Sequence, residues 1–407
     1  MMSAIAESTR DTAAGDRLAG RNALVLAIAQ ALSGGNNTVI VSTGGIVGAM
    51  LAPDRAFATV PISVMVLGMW AGTLPVGMLS KALGRRAALQ IGALVGTVSG
   101  LICCWAVLHA SFGLFLLGAF GSGLYAAAHQ SYRFAAADTA SEAFKPKAVS
   151  WVLAGGVFAG VLGAQLVIFT KDIWQPYLFA ATYIGQAAFA LLTALVLVLV
   201  NIPRPATMPG AKRGRPLGEI VRTPRFITAV VCGVASYSMM NLVMTSAPLA
   251  MVDCGHSVTT ATLGLQWHVL AMFGPSFFTG SVIARFGMER VILCGLAMIG
   301  LAAIIAMSGL SVAHFWTALI LLGVGWNFAF IGATTMVTRC HRPEERNQVQ
   351  AFNDFLIFGS MAIGSFASGT VLANFGWSAV NEVVFPAILA AGALLIWWSV
   401  RERTKLA

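Results

Sequence analysis

The chain has 407 residues, 58% of them hydrophobic and only 10% charged, and its formal net charge at pH 7 is +10. Soluble globular domains carry roughly 25% charged residues, so this composition excludes an ordinary soluble protein. The Lys and Arg residues are scattered along the chain and form no compact basic block. The positive charge is therefore not the footprint of a nucleic-acid partner.

Apolar stretches long enough to cross a lipid bilayer recur along the whole chain. A transmembrane helix needs roughly 18 or more mostly apolar residues, and we count about twelve such stretches. They lie near residues 22–50, 57–79, 86–108, 111–132, 148–170, 176–201, 226–251, 259–284, 290–310, 313–338, 350–373 and 379–400. The polar residues 1–21 lack the apolar core of a signal peptide and are predicted to form a cytoplasmic tail.

The distribution of basic residues predicts how these spans are oriented. If the N-terminus is cytoplasmic, every one of the 25 Lys and Arg residues except Arg55 and Lys171 falls on the cytoplasmic side. Positive charge accumulates on that side of membrane proteins, so both termini are predicted to be cytoplasmic. Residues 401–407 are then a second cytoplasmic tail.

The chain carries signs of an internal duplication. Segment 77–86, GMLSKALGRR, joins the second and third spans. Segment 280–290, GSVIARFGMER, joins the eighth and ninth spans, 203 residues later. A Gly-x-Gly motif at 121–123 in the fourth span recurs at 323–325 in the tenth. These matches indicate two related halves.

The segment between the halves and the duplication together predict the fold. Residues 202–225 are rich in Pro, Gly and basic residues, which is typical of a cytoplasmic linker. We predict an all-α membrane protein with twelve transmembrane helices in two pseudo-symmetric six-helix halves, 22–201 and 226–400. Two such halves around a midplane site are a recognised transporter plan.

Two pairs of side chains on the seventh and eighth spans suit a soft metal ion. Met240 and Met244 are four residues apart, which places them on one face of a helix. His268 and Met272 have the same spacing on the next span. Thioether and imidazole donors suit copper, especially Cu(I), and suit Mg²⁺ or Ca²⁺ poorly. At a rise of about 1.5 Å per residue, Met240 and His268 lie at the same depth.

Packing is the competing interpretation of these residues. Met is a flexible filler of apolar helices, and Met65-x-x-x-Met69 forms a similar pair on the second span. His268 has a rival role as a hydrogen-bond partner of a neighbouring helix, for example through Gln266. A histidine deep in a membrane helix is costly, however, and by default marks a functional site. We therefore favour the joint metal site.

The six cysteines form no disulfide framework. Cys232 lies inside the seventh span, where burial as a small hydrophobe is the simplest interpretation. Cys254 lies in Asp253-Cys254-Gly255-His256, the predicted outer turn after that span. This turn either captures a metal at the entrance or is an ordinary turn containing a glycine, and the sequence leaves both open.

Other polar residues inside the spans are candidates for a cavity lining or for proton coupling. They are Asn36, Tyr125, His129, Gln130, Tyr237, Asn241, Trp326, Asn327 and Asp354. Such residues also serve as hydrogen-bonding contacts between helices. His129 and Asp354 are the coupling candidates because they are ionisable and lie near the cytoplasmic half. We favour a gate pairing of Asp354 with Arg133 or Arg339.

Several catalytic chemistries have no motif in the chain. There is no Gly-x-x-x-x-Gly-Lys-[Ser/Thr] loop, so ATP does not drive the protein directly. Neither Cys-x-x-Cys nor His-Glu-x-x-His occurs, which argues against a structural zinc or a metalloprotease. We expect no enzyme activity and no resident cofactor.

The Gly-x6-Gly-Arg-Arg loop at 77–86 resembles the signature loop of the major facilitator superfamily, and the likeness covers nearly the whole chain. It departs from the pattern at Lys81, where the family has an acidic residue. This substitution questions the usual charge-relay role of the loop and leaves the fold expectation unchanged.

Within that superfamily, the two pairs of ligand residues resemble those of the CcoA-type bacterial copper importers. The likeness assigns ligand roles to Met240, Met244, His268 and Met272, and it places functional cysteines at Cys232 and Cys254. It implies copper import across a bacterial inner membrane for assembly of a cbb3-type cytochrome c oxidase. The implied partners are the copper ion, the lipid bilayer and a copper chaperone or oxidase assembly factor, with a monomer sufficient.

Two alternatives stay open. A riboflavin-transporting group is related to the same importers, and Tyr125, Trp267 and Trp326 are suited to stack on a flat ring. A flavin carrier would not need His268 or the Met residues. The second alternative is a non-transporting protein that only holds copper for a partner.

Overall fold

The computed structural model describes residues 2–138, 140–141, 144–202, 215–342 and 345–406. Within these ranges the structure consists of α-helices, short 3-10 turns and connecting loops, and it contains no β-strand. The expected all-α fold is confirmed. Residues 203–214, half of the predicted linker 202–225, lie outside the described residues.

Seven helices precede the linker. They are α1 (Met2–Leu51), α2 (Val60–Leu83), α3 (Arg85–Leu108), α4 (Phe112–Gln130), α5 (Tyr132–Ala137), α6 (Lys145–Thr170) and α7 (Ala180–Val196). Short 3-10 turns follow α1 at Arg55–Phe57 and α7 at Leu197–Leu199. Helix α1 continues backward through the residues predicted to be a polar tail.

Eight described helices follow residue 214, and the first of them lies inside the predicted linker 202–225. They are α8 (Leu217–Val221), α9 (Pro224–Asp253), α10 (Val258–Phe273), α11 (Ser276–Phe286), α12 (Met288–Ser308), α13 (Val312–Thr338), α14 (Arg346–Glu382) and α15 (Val384–Leu406). Ser111, Thr223 and Ser257 cap α4, α9 and α10 by accepting a backbone N–H of the first turn.

The number of membrane spans agrees with the sequence once one long helical stretch is divided. By length and composition, ten described helices can cross a membrane, or eleven if the bent pair α10 and α11 counts as one. One of the ten is the 55-residue stretch Gln348–Glu402, which Gly376 interrupts with a φ of 80°. At about 1.5 Å per residue it measures roughly 80 Å, over twice a hydrocarbon core of about 30 Å. Dividing it gives the predicted twelve.

The contacts divide the chain into two compact units. The N-terminal unit contains Met1–Val47 and Leu67–Ala206, and the C-terminal unit contains Gly48–Val66 and Thr207–Ala407. The end of α1, the start of α2 and the loop between them therefore pack with the C-terminal unit. In the N-terminal unit α3 packs on α4 and α7. In the C-terminal unit α13 packs on α9, α10 and α12.

The predicted repeat has a local structural counterpart. Gly84 starts α3 with φ 91° and ψ 157°, and Gly287 starts α12 with φ 87° and ψ 148°. Both angles lie in a region that L side chains rarely adopt, so glycine is required at each position. The same backbone conformation thus recurs at the offset of the sequence repeat.

Candidate functional site

An aromatic cluster lies inside the C-terminal unit, where side chains from four helices meet. Its members are Tyr237 of α9, Phe273 of α10, Trp326 and Phe330 of α13, and Phe358 of α14. The Trp326 and Phe330 rings are stacked, with centroids 5.1 Å apart and planes 13° apart. The Tyr237 ring stands edge-on to both, at 5.2 and 4.9 Å. Stacked and edge-on faces of this kind favour a flat aromatic ligand.

Buried polar atoms without a hydrogen-bond partner among the described residues are found on the same helices. They are Asn241 Nδ2 and Thr245 Oγ1 on α9, Thr262 Oγ1 and His268 Nε2 on α10, and Trp326 Nε1 on α13. Tyr237, Asn241 and Thr245 follow at intervals of four residues and share one face of α9. An unsatisfied buried polar group costs about 1–3 kcal/mol, so a bound molecule that supplies partners is favoured here.

His268 is fully buried and is fixed by a neighbouring helix. Its Nδ1 lies 2.6 Å from the carbonyl oxygen of Leu319 on α13. A carbonyl only accepts hydrogen bonds, so Nδ1 carries the proton, and in the neutral ring Nε2 is an acceptor. The expected rival role of His268, a bond to a neighbouring helix, therefore occupies one ring nitrogen and leaves the other available.

The predicted copper ligands are mostly buried. Met240, His268 and Met272 are almost inaccessible, whereas Met244 is half-buried. Met240 and Met272 both belong to the hydrophobic core of the C-terminal unit. No three His, Cys, Asp or Glu side chains in the described part of the chain are grouped as a metal site. A copper site here would therefore depend on thioethers plus one imidazole, and it stays a prediction.

The two cysteines with predicted roles lie apart from these ligands. Cys232 is buried and its Sγ lies 3.8 Å from the carbonyl oxygen of Ala391 on α15. Cys232 and Asn241 are nine residues apart, which places them on opposite faces of α9. The thiol of Cys232 thus packs against a neighbouring helix.

Cys254 lies in a regular helix-ending turn. The N–H of Gly255 bonds to the Val252 carbonyl and the N–H of His256 to the Met251 carbonyl, which is a Schellman motif with Gly255 at φ 84°. His256 Nε2 lies 2.8 Å from the Leu310 carbonyl.

The charged residue beside Cys254 also has a partner of its own. The Asp253 carboxylate forms an ion pair with Arg55. Burial and the Asp253 charge raise the pKa of the Cys254 thiol. Since both neighbours have other partners, the structure favours the ordinary turn over metal capture.

Asn327 holds the break between α10 and α11. Pro275 interrupts the helix, and the Asn327 amide donates to the Met272 carbonyl at 2.6 Å and to the Ser276 hydroxyl at 2.7 Å. The Thr279 hydroxyl lies 2.6 Å from Asn327 Oδ1. These contacts satisfy backbone groups that a broken membrane helix leaves free. Asn327 was expected in the cavity lining, and its contacts give it a structural role.

In the N-terminal unit a polar network joins three helices. Asn36 Nδ2 donates to the Gln186 carbonyl at 3.0 Å, and Gln186 Nε2 lies 3.2 Å from both Asn36 Oδ1 and Ser122 Oγ. This arrangement is typical of polar contacts that hold membrane helices together.

The candidates on α4 are packed differently. Tyr125 is buried against Gly96 of α3, where a built Cβ would lie 2.3 Å from the ring. His129 is buried with its ring 5.7 Å from the edge-on Tyr132 ring, and its Nε2 has no partner among the described residues. Gln130 ends the helix and is half-buried. The coupling role of His129 stays a prediction.

The charged candidates lie near helix ends. Asp354 is half-buried on α14, and Asn353 Nδ2 lies 3.2 Å from its Oδ1. Its expected pairing with Arg133 or Arg339 stays a prediction. In the signature loop, Arg85 pairs with Asp138 at 2.6 Å.

The family described as Major Facilitator Superfamily matches residues 26–355 and 230–407. The chain belongs to the major facilitator superfamily. A solved structure of this superfamily's fold, a bacterial homolog of the human lysosomal transporter Spinster in an inward-facing and unoccupied conformation, superposes with a TM-score of 0.66. At 16% identity over 93% of this chain and 95% of that one, it shows the fold alone.

Curated relatives of this superfamily member are transporters by name. The Riboflavin transporter RfnT of Brucella anthropi is 50% identical over 370 residues, which cover 90% of this chain and 93% of the relative. The uncharacterized MFS-type transporter YdeG of Bacillus subtilis is 28% identical over 89% of this chain and 88% of its own. A transporter role and the absence of an enzymatic one, both expected from the sequence, are therefore confirmed.

Sequence reasoning identified part of the aromatic cluster. Tyr237 and Trp326 were among the candidates, whereas Phe273, Phe330 and Phe358 were missed. Trp267, expected to stack on a substrate ring, is instead 43% exposed. The four-residue interval between Trp326 and Phe330, which places both on one face of α13, was the available signal.

Proposed function

We propose that this protein transports riboflavin across a bacterial inner membrane, with both termini in the cytoplasm. The observation that carries the proposal is the aromatic cluster together with the unsatisfied polar atoms on the same helices of the C-terminal unit. Riboflavin is a flat heterocycle with polar ring edges and a hydroxylated chain, so it needs stacking faces and hydrogen-bond partners together. The 50% identity with a protein named as a riboflavin transporter supports the same substrate.

The charge on the cluster's four helices supports a substrate without negative charge, because α14 carries Asp354 one turn before Phe358 and the other three carry no charge between their ends. The sequences of α10 and α13 contain no Asp, Glu, Lys or Arg, and in α9 such residues occur only at Arg225 and Asp253, near its ends. An unpaired charge inside a low-dielectric site is strongly disfavoured. We therefore expect neutral riboflavin to be accepted and its phosphorylated forms to be rejected.

Uptake of riboflavin by cells that express the protein tests the proposal. Trp326→Leu removes a stacking face and an indole N–H, and stacking of this kind is worth roughly 1–3 kcal/mol, so uptake at limiting substrate should fall about tenfold or more. Trp397→Leu is the matched control, because Trp397 is 50% exposed on α15. Wild-type uptake no greater than that of empty cells would refute the proposal.

Copper import is the second candidate, and one observation favours it. A histidine that donates Nδ1–H to a backbone carbonyl and keeps Nε2 free has the orientation of metal-ligating histidines, and His268 has it. In this alternative Met240 and Met272 complete the site, and the imported copper supplies a cbb3-type oxidase.

Copper accumulation in the same cells separates the two candidates. If copper is the substrate, Met240→Leu and Met272→Leu should abolish accumulation, and Met65→Leu should not. If riboflavin is the substrate, all three variants should still take up riboflavin, because a carbon side chain of similar volume preserves the packing.

A further inference from the structure

Three of the unsatisfied buried groups have a fixed role as hydrogen-bond donor or acceptor. Trp326 Nε1 is a donor only, and the unsatisfied atom of Asn241 is its amide nitrogen, also a donor. His268 Nε2 is an acceptor, because Nδ1 carries the proton toward Leu319. The C-terminal unit therefore offers two donors and one acceptor that the protein itself does not use.

These groups lie on three helices that pack on one another, since α13 contacts both α9 and α10 and α10 contacts α9. Leu319, which holds His268, and Trp326 are seven residues apart, so they share one face of α13, about 10 Å apart along its axis. Asn241 lies one turn beyond Tyr237, whose ring touches Trp326.

We propose that His268 is a specificity-determining residue that accepts a hydrogen bond from a ring N–H of the substrate. Asn241 then donates to a carbonyl oxygen beside this N–H, whereas Trp326 stacks on the ring and its indole N–H, which points in the indole plane, serves another polar group of the substrate. The substrate edge so recognised carries an N–H next to a carbonyl, as a cyclic imide does. This inference rests on the proposed function, since riboflavin carries one such edge.

The physical argument for an N–H partner is the cost of leaving His268 Nε2 alone. The side chain has 0% exposure, and a buried acceptor without a donor is unfavourable. A site built to bond a substrate N–H also rejects an analogue that lacks it, because its own polar group then stays unpaired. Methylation of the imide nitrogen removes this N–H and adds bulk at the same place.

The test compares binding of riboflavin and of riboflavin methylated at its imide nitrogen to the purified full-length protein, by quenching of flavin fluorescence. We expect the wild type to prefer riboflavin by about 10- to 100-fold. His268→Asn keeps an amide donor for the Leu319 carbonyl and removes the group at Nε2. In this variant the affinity for riboflavin should fall to that for the methylated analogue, so the ratio of the two affinities falls to about one.

Two further variants separate recognition from a structural role. His268→Gln carries an amide at the level of Nε2 and should restore part of the preference. His314→Asn is the matched control, because His314 lies at the start of α13 with Nδ1 2.8 Å from Ser311 Oγ, and the wild-type ratio should persist.

Two results would overturn the inference. The first is a wild-type ratio near one. The second is a His268→Asn variant that weakens both ligands equally and keeps the ratio, as a purely structural histidine would. Failure of the proposed function is distinguishable, because the wild type would then bind neither flavin, and the inference would fall with it.

Discussion

Asn327 and His268 are both buried polar residues of membrane helices, and they differ in how completely the protein satisfies them. Asn327 uses its amide nitrogen and oxygen on three groups around the α10–α11 break. His268 uses one ring nitrogen and leaves the second without a partner among the described residues. A fully satisfied group stabilises the scaffold, whereas an incompletely satisfied one is available to a ligand.

The scaffold role of Asn327 predicts a loss of stability on substitution. Asn327→Leu removes the donor to the Met272 carbonyl and the contacts to the Ser276 and Thr279 hydroxyls, of which Thr279 keeps its bond to the Pro275 carbonyl, so the free energy of unfolding should fall by about 1–3 kcal/mol. Thermal unfolding of the detergent-solubilised protein measures this change.

The control for this prediction is Asn374→Ala, because Asn374 is exposed and bonds only to the Thr370 carbonyl of its own helix. Its unfolding should match that of the wild type. If Asn327→Leu is as stable as this control but no longer binds riboflavin, Asn327 contacts the substrate and the scaffold role is wrong.

At the scale of elements, one buried carboxylate, Glu345, connects Arg215 before α8 to the turn before α14. Glu345 Oε1 and Oε2 accept from the Arg215 side chain at 2.9 and 2.8 Å, and the backbone N–H groups of Arg215 and Arg342 add bonds at 2.8 and 2.9 Å. The Glu345 side chain is 1% exposed. The Arg215 side chain first, and these N–H groups second, hold the pKa of the Glu345 carboxyl well below its ordinary value.

This depressed pKa predicts how stability depends on pH. In the unfolded chain Glu345 titrates near its ordinary value of 4.5, so the native interaction stabilises the fold at neutral pH and is lost as the pH falls below that value. Glu345→Gln should therefore lower the melting temperature at pH 7, and the difference from wild type should narrow between about pH 5 and about pH 3.

The matched control is Glu402→Gln, because Glu402 pairs with Arg225 at 3.4 Å and is 40% exposed. Surface pairs contribute little, so its effect should be small at every pH. A Glu345→Gln deficit that stays constant as the pH is lowered would show that packing, and not the ion pair, is responsible.

The elements were largely predictable from the sequence, and the contacts of single residues were not. Each predicted apolar stretch overlaps a described helix, because a run of about 18 apolar residues has few other stable structures in a bilayer. The role of Asn327 depends on its position opposite the Met272 carbonyl at the break between α10 and α11, on another helix. Phe358 could not be told from exposed residues such as Phe375, which is 73% exposed, because both are apolar in sequence.

At the scale of the whole molecule, the C-terminal unit contains the groups suited to hold a substrate. It carries the aromatic cluster and most of the predicted ligand residues, and it includes the connection between α1 and α2. That connection is held by the Arg55–Asp253 ion pair and by Ser63 Oγ at 2.9 Å from Ser365 Oγ. This end of the unit is therefore closed by polar contacts on the side that the charge distribution predicts to be external.

The predicted orientation can be tested with two of the chain's own cysteines. Cys254 is exposed in the turn after α9, and Cys340 is half-buried in the turn after α13. In single-cysteine variants, a membrane-impermeant maleimide should label Cys254 in intact cells and should label Cys340 only after the membrane is opened.

Burial raises the pKa of Cys340 to about 11, so its labelling at pH 7 should be slow and should accelerate about tenfold per pH unit. This acceleration, measured in opened membranes, shows that the thiol is reactive. The absence of Cys340 labelling in intact cells then reflects the location of the thiol. Labelling of Cys340 but not Cys254 in intact cells would place both termini outside. The aromatic cluster and the basic loops would then keep their structure, but the proposed direction of transport would be reversed.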